Sequence, residues 1–323
     1  MESLQAFLDA ARLFLDNVTQ VQLQPLGIAL LLHTSNLVLR TRAWFRILRA
    51  AYPGTPFRWR GVLGAYLSGV GINAFAPARA GDVVKVYAVR QRIPDSTTPT
   101  IVSSLLAETL IDLPIALALM TWAYTTGRLP TLPDIPSAPA FEWSFFARHQ
   151  RATEIGLVVL LFVVAVGIRW LAHHVRAFWQ RVKQGLTIVR TPGRYLRQVG
   201  VPQGLGWCCR LGTAYFLLEA FNVEASIENA ALVLVVGSIS TLLPFTPGGA
   251  GAQQALLVIV LAGAASTSTL LAYSVGAQVV TLVLNVLLGG AAMLLLFRGL
   301  HWREIVRTET ARTEAAQAQV PPA

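Results

Sequence analysis

Charge is scarce in this chain: Asp, Glu, Lys and Arg make up 13% of its 323 residues, against about 25% in ordinary soluble domains. Cysteine is rarer still. The two present, Cys208 and Cys209, are neighbours in an apolar run. Neighbours cannot supply a four-ligand zinc site and no CxxC partner exists, so no metal centre is expected. There is no Gly-rich loop ending in GK[ST], no HExxH and no GxSxG. ATP-driven work, zinc proteolysis and serine-hydrolase chemistry therefore lack support, and neither a catalytic residue nor a cofactor is expected. A basic leader is missing too, because Glu2, Asp9 and Asp16 stand where a cleavable signal peptide carries positive charge.

What is present is apolar sequence, 54% of the chain. It falls into separate runs close to the roughly 20 residues that cross a bilayer. The runs lie at 25–39, 61–76, 83–90, 101–124, 154–172, 205–222, 228–243, 252–267 and 270–297. This pattern predicts an all-α, polytopic transmembrane bundle of about seven or eight membrane segments, some broken or re-entrant. Residues 3–16 put Leu4, Phe7, Leu8, Ala11 and Leu15 on one helical face, so 1–20 reads as an interfacial amphipathic helix. The membrane domain covers 21–300, and 301–323 reads as a solvated tail.

The net charge is +10, and the positive residues cluster between apolar runs. Topology and anionic headgroups account for that better than nucleic acid, which is not an expected partner. The acid-free stretches 40–60 and 173–203 carry Arg40, Arg42, Arg46, Arg49, Arg58 and Arg60, then Arg176, Arg181, Lys183, Arg190, Arg194 and Arg197. The positive-inside rule puts both in the cytoplasm as loops and makes this a multi-pass protein of the cell (inner) membrane with a cytoplasmic C-terminus. The near-neutral 125–153 connection and the turn with Glu224 and Glu228 then lie outside. The scheme closes if 252–267 crosses, and if 61–90 leaves and returns as two crossings or one re-entrant hairpin.

Two segments break the helical pattern at membrane depth. One holds Pro77, Arg79, Gly81 and Asp82. The other holds Pro244, Pro247, Gly248, Gly249 and Gly251. Unpaired backbone cannot face lipid, so such breaks are buried in protein or line a wet cavity. Two breaks in corresponding places match the paired broken helices of transporters with internal repeats. Two unrelated loops at membrane surfaces would give the same pattern.

Charged residues inside spans are a sharper signal. Glu108 and Asp112, four apart, share a helical face in the run 101–124. A carboxylate at the middle of a span costs roughly 2.5–3.5 kcal/mol on insertion scales, so it calls for a cation or water. Arg79 and Lys85 are the expected partners. One reading makes this a polar cavity in which Arg79 and Lys85 hold an anionic headgroup and the carboxylates, with Asp82, supply counter-charge. The other makes it a structural ion-pair network. Gln253, Gln254 and Gln278 are polar in apolar surroundings, bonding across helices or lining the same cavity. His33, alone in its run, reads as a packed residue.

Three motifs stand in order: Asn73-x-x-x-Pro77-x-Arg79-x-Gly81-Asp82-x-x-Lys85, Glu108-x-x-x-Asp112 and Pro244-x-x-Pro247-Gly248-Gly249-x-Gly251. In order and spacing they resemble the family typified by the transmembrane flippase region of bacterial lysylphosphatidylglycerol synthase, over about residues 25–298. The resemblance implies a membrane protein handling phospholipid or a polyprenyl-phosphate-linked saccharide, with Asn73, Gln254 and Gln278 added to the substrate-binding set. The aminoacyl-transferase domain of the full-length synthases is missing, so lysyl-lipid synthesis is not implied. The family often has Glu where this chain has Gln254, and Arg where it has Gln278. The expected activity is lipid or lipid-linked-saccharide translocation. The alternatives are an embedded transferase using its carboxylates as general bases and a non-catalytic scaffold. Homo-oligomerisation is left open.

Overall fold

The computed structural model describes residues 20–76, 80–128, 178–240 and 252–298, and these are helical throughout apart from turns and one isolated bridge. The helices are α1 (Leu23–Ala51), α2 (Trp59–Asn73), α3 (Ala80–Arg90), α4 (Thr98–Thr125), α5 (Val201–Ala220), α6 (Ile227–Ser240), α7 (Ala252–Val260) and α8 (Thr267–Arg298). The expected amphipathic segment 3–16, the span at 154–172 and the tail lie outside the described residues.

The two ends of the bundle differ chemically. One carries Arg42, Arg49, Arg58 and Arg60, all exposed, and is called here the arginine-rich end. The opposite end gathers the turns at 221–226 and 261–266, where the Glu224 backbone N–H donates to the Ala264 carbonyl at 3.2 Å. α1 starts at that opposite end, with the Gln22 N–H donating to the Ala220 carbonyl at 2.9 Å. It therefore runs antiparallel to α5, and the two pack along their length. α4 finishes at the opposite end, where Arg128 Nη2 meets Glu228 Oε2 at 2.7 Å.

Helix α1 corrects one expectation. The apolar run ends at residue 39, but the helix continues through the arginines to Ala51. Ala43, Trp44, Ile47 and Leu48 supply a buried face at helical spacing, and that face carries the helix onward. Arg40 is thus an interior residue, not part of a loop. The 173–203 stretch is likewise no simple loop. Residues 178–185 are helical, and a 3-10 turn (Thr187–Arg190), a helical turn (Pro192–Tyr195) and a π-turn (Leu196–Gly200) lead into α5.

Two antiparallel hairpins enter from opposite ends. α2 and α3, about 22 and 16 Å long at 1.5 Å per residue, are each shorter than a hydrocarbon core of about 30 Å. They pack so closely that neither Gly69 nor Gly81 has room for a Cβ. Asn73 closes the tip: its Oδ1 accepts from the Gly81 N–H at 2.7 Å and its Nδ2 donates to Asp82 Oδ1 at 3.2 Å. The 61–90 segment thus folds as a close helical hairpin. α6 and α7, about 21 and 14 Å long, form the other hairpin. In the run 252–267 the described helix ends at Val260 and the chain turns at 261–266.

Two helices, Thr98–Thr125 and Thr267–Leu295, have the length and apolarity of membrane spans. Leu106, Leu110, Leu113 and Leu117 on α4, and Val279, Val283, Val286 and Leu287 on α8, are exposed. Continuous apolar faces of this kind suit lipid and not water. Inside, one core around Trp44, Ile47, Val62, Val89 and Ile101 fills the arginine-rich half. A second, around Leu218, Phe221, Leu232, Leu261 and Tyr273, fills the opposite half.

Candidate functional site

Where the two cores meet, four helices bring their polar side chains inward. α4 contributes Glu108 and Asp112 from one face, as the four-residue spacing requires. Their cation is Arg40 of α1. Its Nη2 lies 2.7 Å from Asp112 Oδ2 in a hydrogen bond. The same nitrogen lies 2.7 Å from Glu108 Oε1, an ion-pair distance without hydrogen-bond alignment. Arg40 Nε donates to the Tyr66 hydroxyl of α2 at 3.1 Å. Trp207 of α5 completes the shell, its Nε1–H donating to Asp112 Oδ1 at 2.9 Å. Below them Trp44 Nε1 donates to Ser104 Oγ at 2.9 Å, fixing α1 on α4. The Tyr195 hydroxyl, from the turn ahead of α5, donates to the Ala107 carbonyl at 2.6 Å. Burial and then the nearby carboxylates push that phenol up to about 12, so it remains a donor across the physiological range.

Lys85 does not reach the α4 carboxylates. Its Nζ pairs with Asp82 at 3.2 Å, and it lies over the rings of Tyr66 (4.6 Å) and Trp44 (5.6 Å). The expected pairing of Lys85 with Glu108 and Asp112 is therefore replaced by Arg40. Arg79 and Pro77 lie outside the described residues, as do Pro244, Pro247, Gly248, Gly249 and Gly251. Of the break glycines, Gly81 is placed in the tight α2–α3 contact described above.

One helical turn beyond Tyr66 on α2, Val70 lines a cavity of about 400 Å³. Its wall comes from the tip of α2 (Val70, Asn73, Ala74), from α6 and α7 (Val233, Gln253, Leu257), from Leu217 of α5, and from α8 between Tyr273 and Asn285. It thus sits at the inner ends of both hairpins, against the middle of α8. Gln278 lines it and accepts a hydrogen bond from Gln254, so the two amides predicted from separate runs do meet. At its floor Asn285 Oδ1 is 2.9 Å from His33 Nε2, and this gives His33 a packed, hydrogen-bonded role. The described lining is amide, hydroxyl and hydrocarbon, with no charged side chain.

Sequence reasoning missed two residues. Arg40 was hidden by its place in an arginine-rich stretch, although the buried face that follows it was a legible sign that the helix goes on. Arg210 is a lone cation in the run 205–222, and that alone marked it. No metal-binding group of His, Cys, Asp and Glu occurs among the described residues.

Comparison with known proteins agrees with this picture of a membrane bundle. The family model described as "Lysylphosphatidylglycerol synthase TM region" matches residues 7–289. The chain belongs to that family. It is also similar to the UPF0104 membrane protein MJ1078 of Methanocaldococcus jannaschii, with 23% identity over 193 residues, covering 59% of this chain and 78% of the relative. No solved structure matches it. A membrane location and a lipid-related role follow from the family at that level of detail.

Proposed function

We propose that this member of the lysylphosphatidylglycerol synthase TM region family moves anionic lipids or lipid-linked saccharides between leaflets, holding the headgroup in the cavity at the hairpin tips. One observation carries the reading. The cavity of about 400 Å³ lies where two hairpins from opposite ends face the polar positions of α8. Its size falls within the roughly 300–1,000 Å³ range of small-molecule sites. Broken helices that meet near the bilayer midplane form substrate sites in transporters, because their free backbone groups need a wet cavity.

In this reading Asn73, Gln254 and Gln278 address the headgroup directly. Arg79 and Lys85 supply positive potential, with Asp82, Glu108 and Asp112 as counter-charge. Pro77, Gly81, Pro244, Pro247, Gly248, Gly249 and Gly251 shape the breaks. The acyl or prenyl chains stay in lipid. The arginine-rich end faces the cytoplasm of the cell membrane, by the positive-inside rule. A transferase is less well supported, because the two α4 carboxylates that would serve as general bases are both engaged by Arg40.

The test is reconstitution into liposomes carrying fluorescent phosphatidylglycerol in one set and a fluorescent polyprenyl-phosphate sugar in another. Dithionite bleaching reports the fraction in the outer leaflet. The reading expects bleaching beyond the outer-leaflet half for at least one lipid, without chemical conversion. Product formation instead would establish a transferase. Empty-vesicle behaviour with all lipids, at normal incorporation of protein, would overturn the proposal.

A further inference from the structure

Arg210 lies midway along α5, in a run with no other charge until Glu219. Its guanidinium stacks 4.3 Å from the centroid of Trp207, the same ring whose N–H is anchored on Asp112. Beyond that ring it has no hydrogen bond and no ion pair among the described residues. Because Trp207 is held on Asp112 of α4, the guanidinium stacked on it lies beside the Arg40–Asp112 cluster.

A guanidinium carries five donors, and leaving them unmet at membrane depth is costly. The neighbouring carboxylates do not meet them: Asp112 spends one oxygen on Arg40 and the other on Trp207. Arg210 is thus a cation held by an aromatic face, with no partner for its donors among the described residues. It is also well positioned relative to the cavity. Leu217, which lines the cavity, lies seven residues along the same helical face, about 10 Å away. Asn285, at the cavity floor, is in turn held by His33. The described lining has amides and hydroxyls for a neutral headgroup but nothing to neutralise a phosphate.

We infer that Arg210 is an anion-binding residue, receiving the phosphate of a lipid headgroup at the arginine-rich side of the cavity while the amides address the rest of the head. The planar fork suits two phosphate oxygens at once. The inference rests on the lipid reading above and names the residue that would hold the charged atom group.

The experiment measures binding to the purified full chain in detergent with three probes: dioctanoyl phosphatidylglycerol, the phosphate-free dioctanoylglycerol and inorganic phosphate. Arg210→Gln should weaken phosphatidylglycerol binding at least about tenfold, the loss expected for a charge-assisted bidentate contact. Binding of dioctanoylglycerol should stay unchanged, which separates a lost contact from a damaged fold. Should Arg210→Gln fail to fold, Arg210→Lys keeps the charge without the fork and should still lose about threefold or more. Wild-type affinity for phosphatidylglycerol in the folded variant overturns the inference and leaves the lipid reading standing. Inorganic phosphate binding as tightly as the lipid, and equally dependent on Arg210, supports the anion site but removes the lipid as its ligand. A wild-type chain that binds no phosphate probe removes both.

Discussion

One nitrogen of Arg40 serves two carboxylates, and removing it strands both inside the bundle. Glu108 keeps 6% of its side-chain surface exposed, Asp112 22% and Arg40 19%. Breaking a buried pair by deleting one partner typically costs about 3–5 kcal/mol, because the remaining charge stays desolvated. Arg40→Met should therefore melt well below the wild type in detergent, followed by fluorescence-detected size exclusion. Adding Glu108→Gln and Asp112→Asn to that variant should recover part of the loss, since no ion is then left unpaired. Equal melting of Arg40→Met and wild type would show that water enters this region freely. Lys85 illustrates the same logic at smaller scale, with Asp82 and two aromatic faces around one ammonium group.

At the scale of elements, close helix approach depends on glycine at two contacts. A Cβ on Gly71 of α2 would lie 2.8 Å from the Gly289 Cα of α8, and a Cβ on Gly289 would lie 2.6 Å from the Gly71 Cα. Small residues let backbones approach in membranes, where there is little hydrophobic drive between helices. Gly71→Ala or Gly289→Ala should push α2 and α8 apart and lower stability by about 1–3 kcal/mol, the usual range for overpacking. A thermal-shift series in detergent checks this. Gly290→Ala is the control, since nothing stands within 4 Å of its Cβ position. Because α2 and α8 both line the cavity, the Gly71 and Gly289 variants should also lose lipid movement in liposomes while the control keeps it. Pro114, inside α4 two residues beyond Asp112, is accommodated within a continuous helix.

For the whole molecule, the two hairpins enter from different ends, so the chain has a polarity that labelling can read. With Cys208→Ser and Cys209→Ser as background, a cysteine placed by Thr55→Cys sits at the arginine-rich end. One placed by Gly263→Cys sits at the opposite end. An impermeant maleimide on intact cells should label the Gly263→Cys protein, and should reach Thr55→Cys only after permeabilisation. The reverse pattern would invert the proposed orientation, while labelling of both would deny that α1 crosses the membrane.

The membrane class and the approximate positions of the described runs were legible in the sequence, because hydrocarbon imposes long apolar stretches wherever they occur. Glu108 and Asp112 on one helical face were legible too, since 3.6 residues per turn is a local rule. The meeting of Gln254 with Gln278 was open in the sequence, which left bonding across helices and lining a cavity as alternatives. Helix crossing decided it. Partnership across helices was not legible at all for Arg40, which is separated from Asp112 by 72 positions. Tertiary packing alone decided that Arg40, and not Lys85, neutralises α4, that the 61–90 segment returns as a hairpin, and that Arg210 stacks on the ring of Trp207. Charge pairing follows distance in space, and local pattern carries no record of which helices will lie side by side.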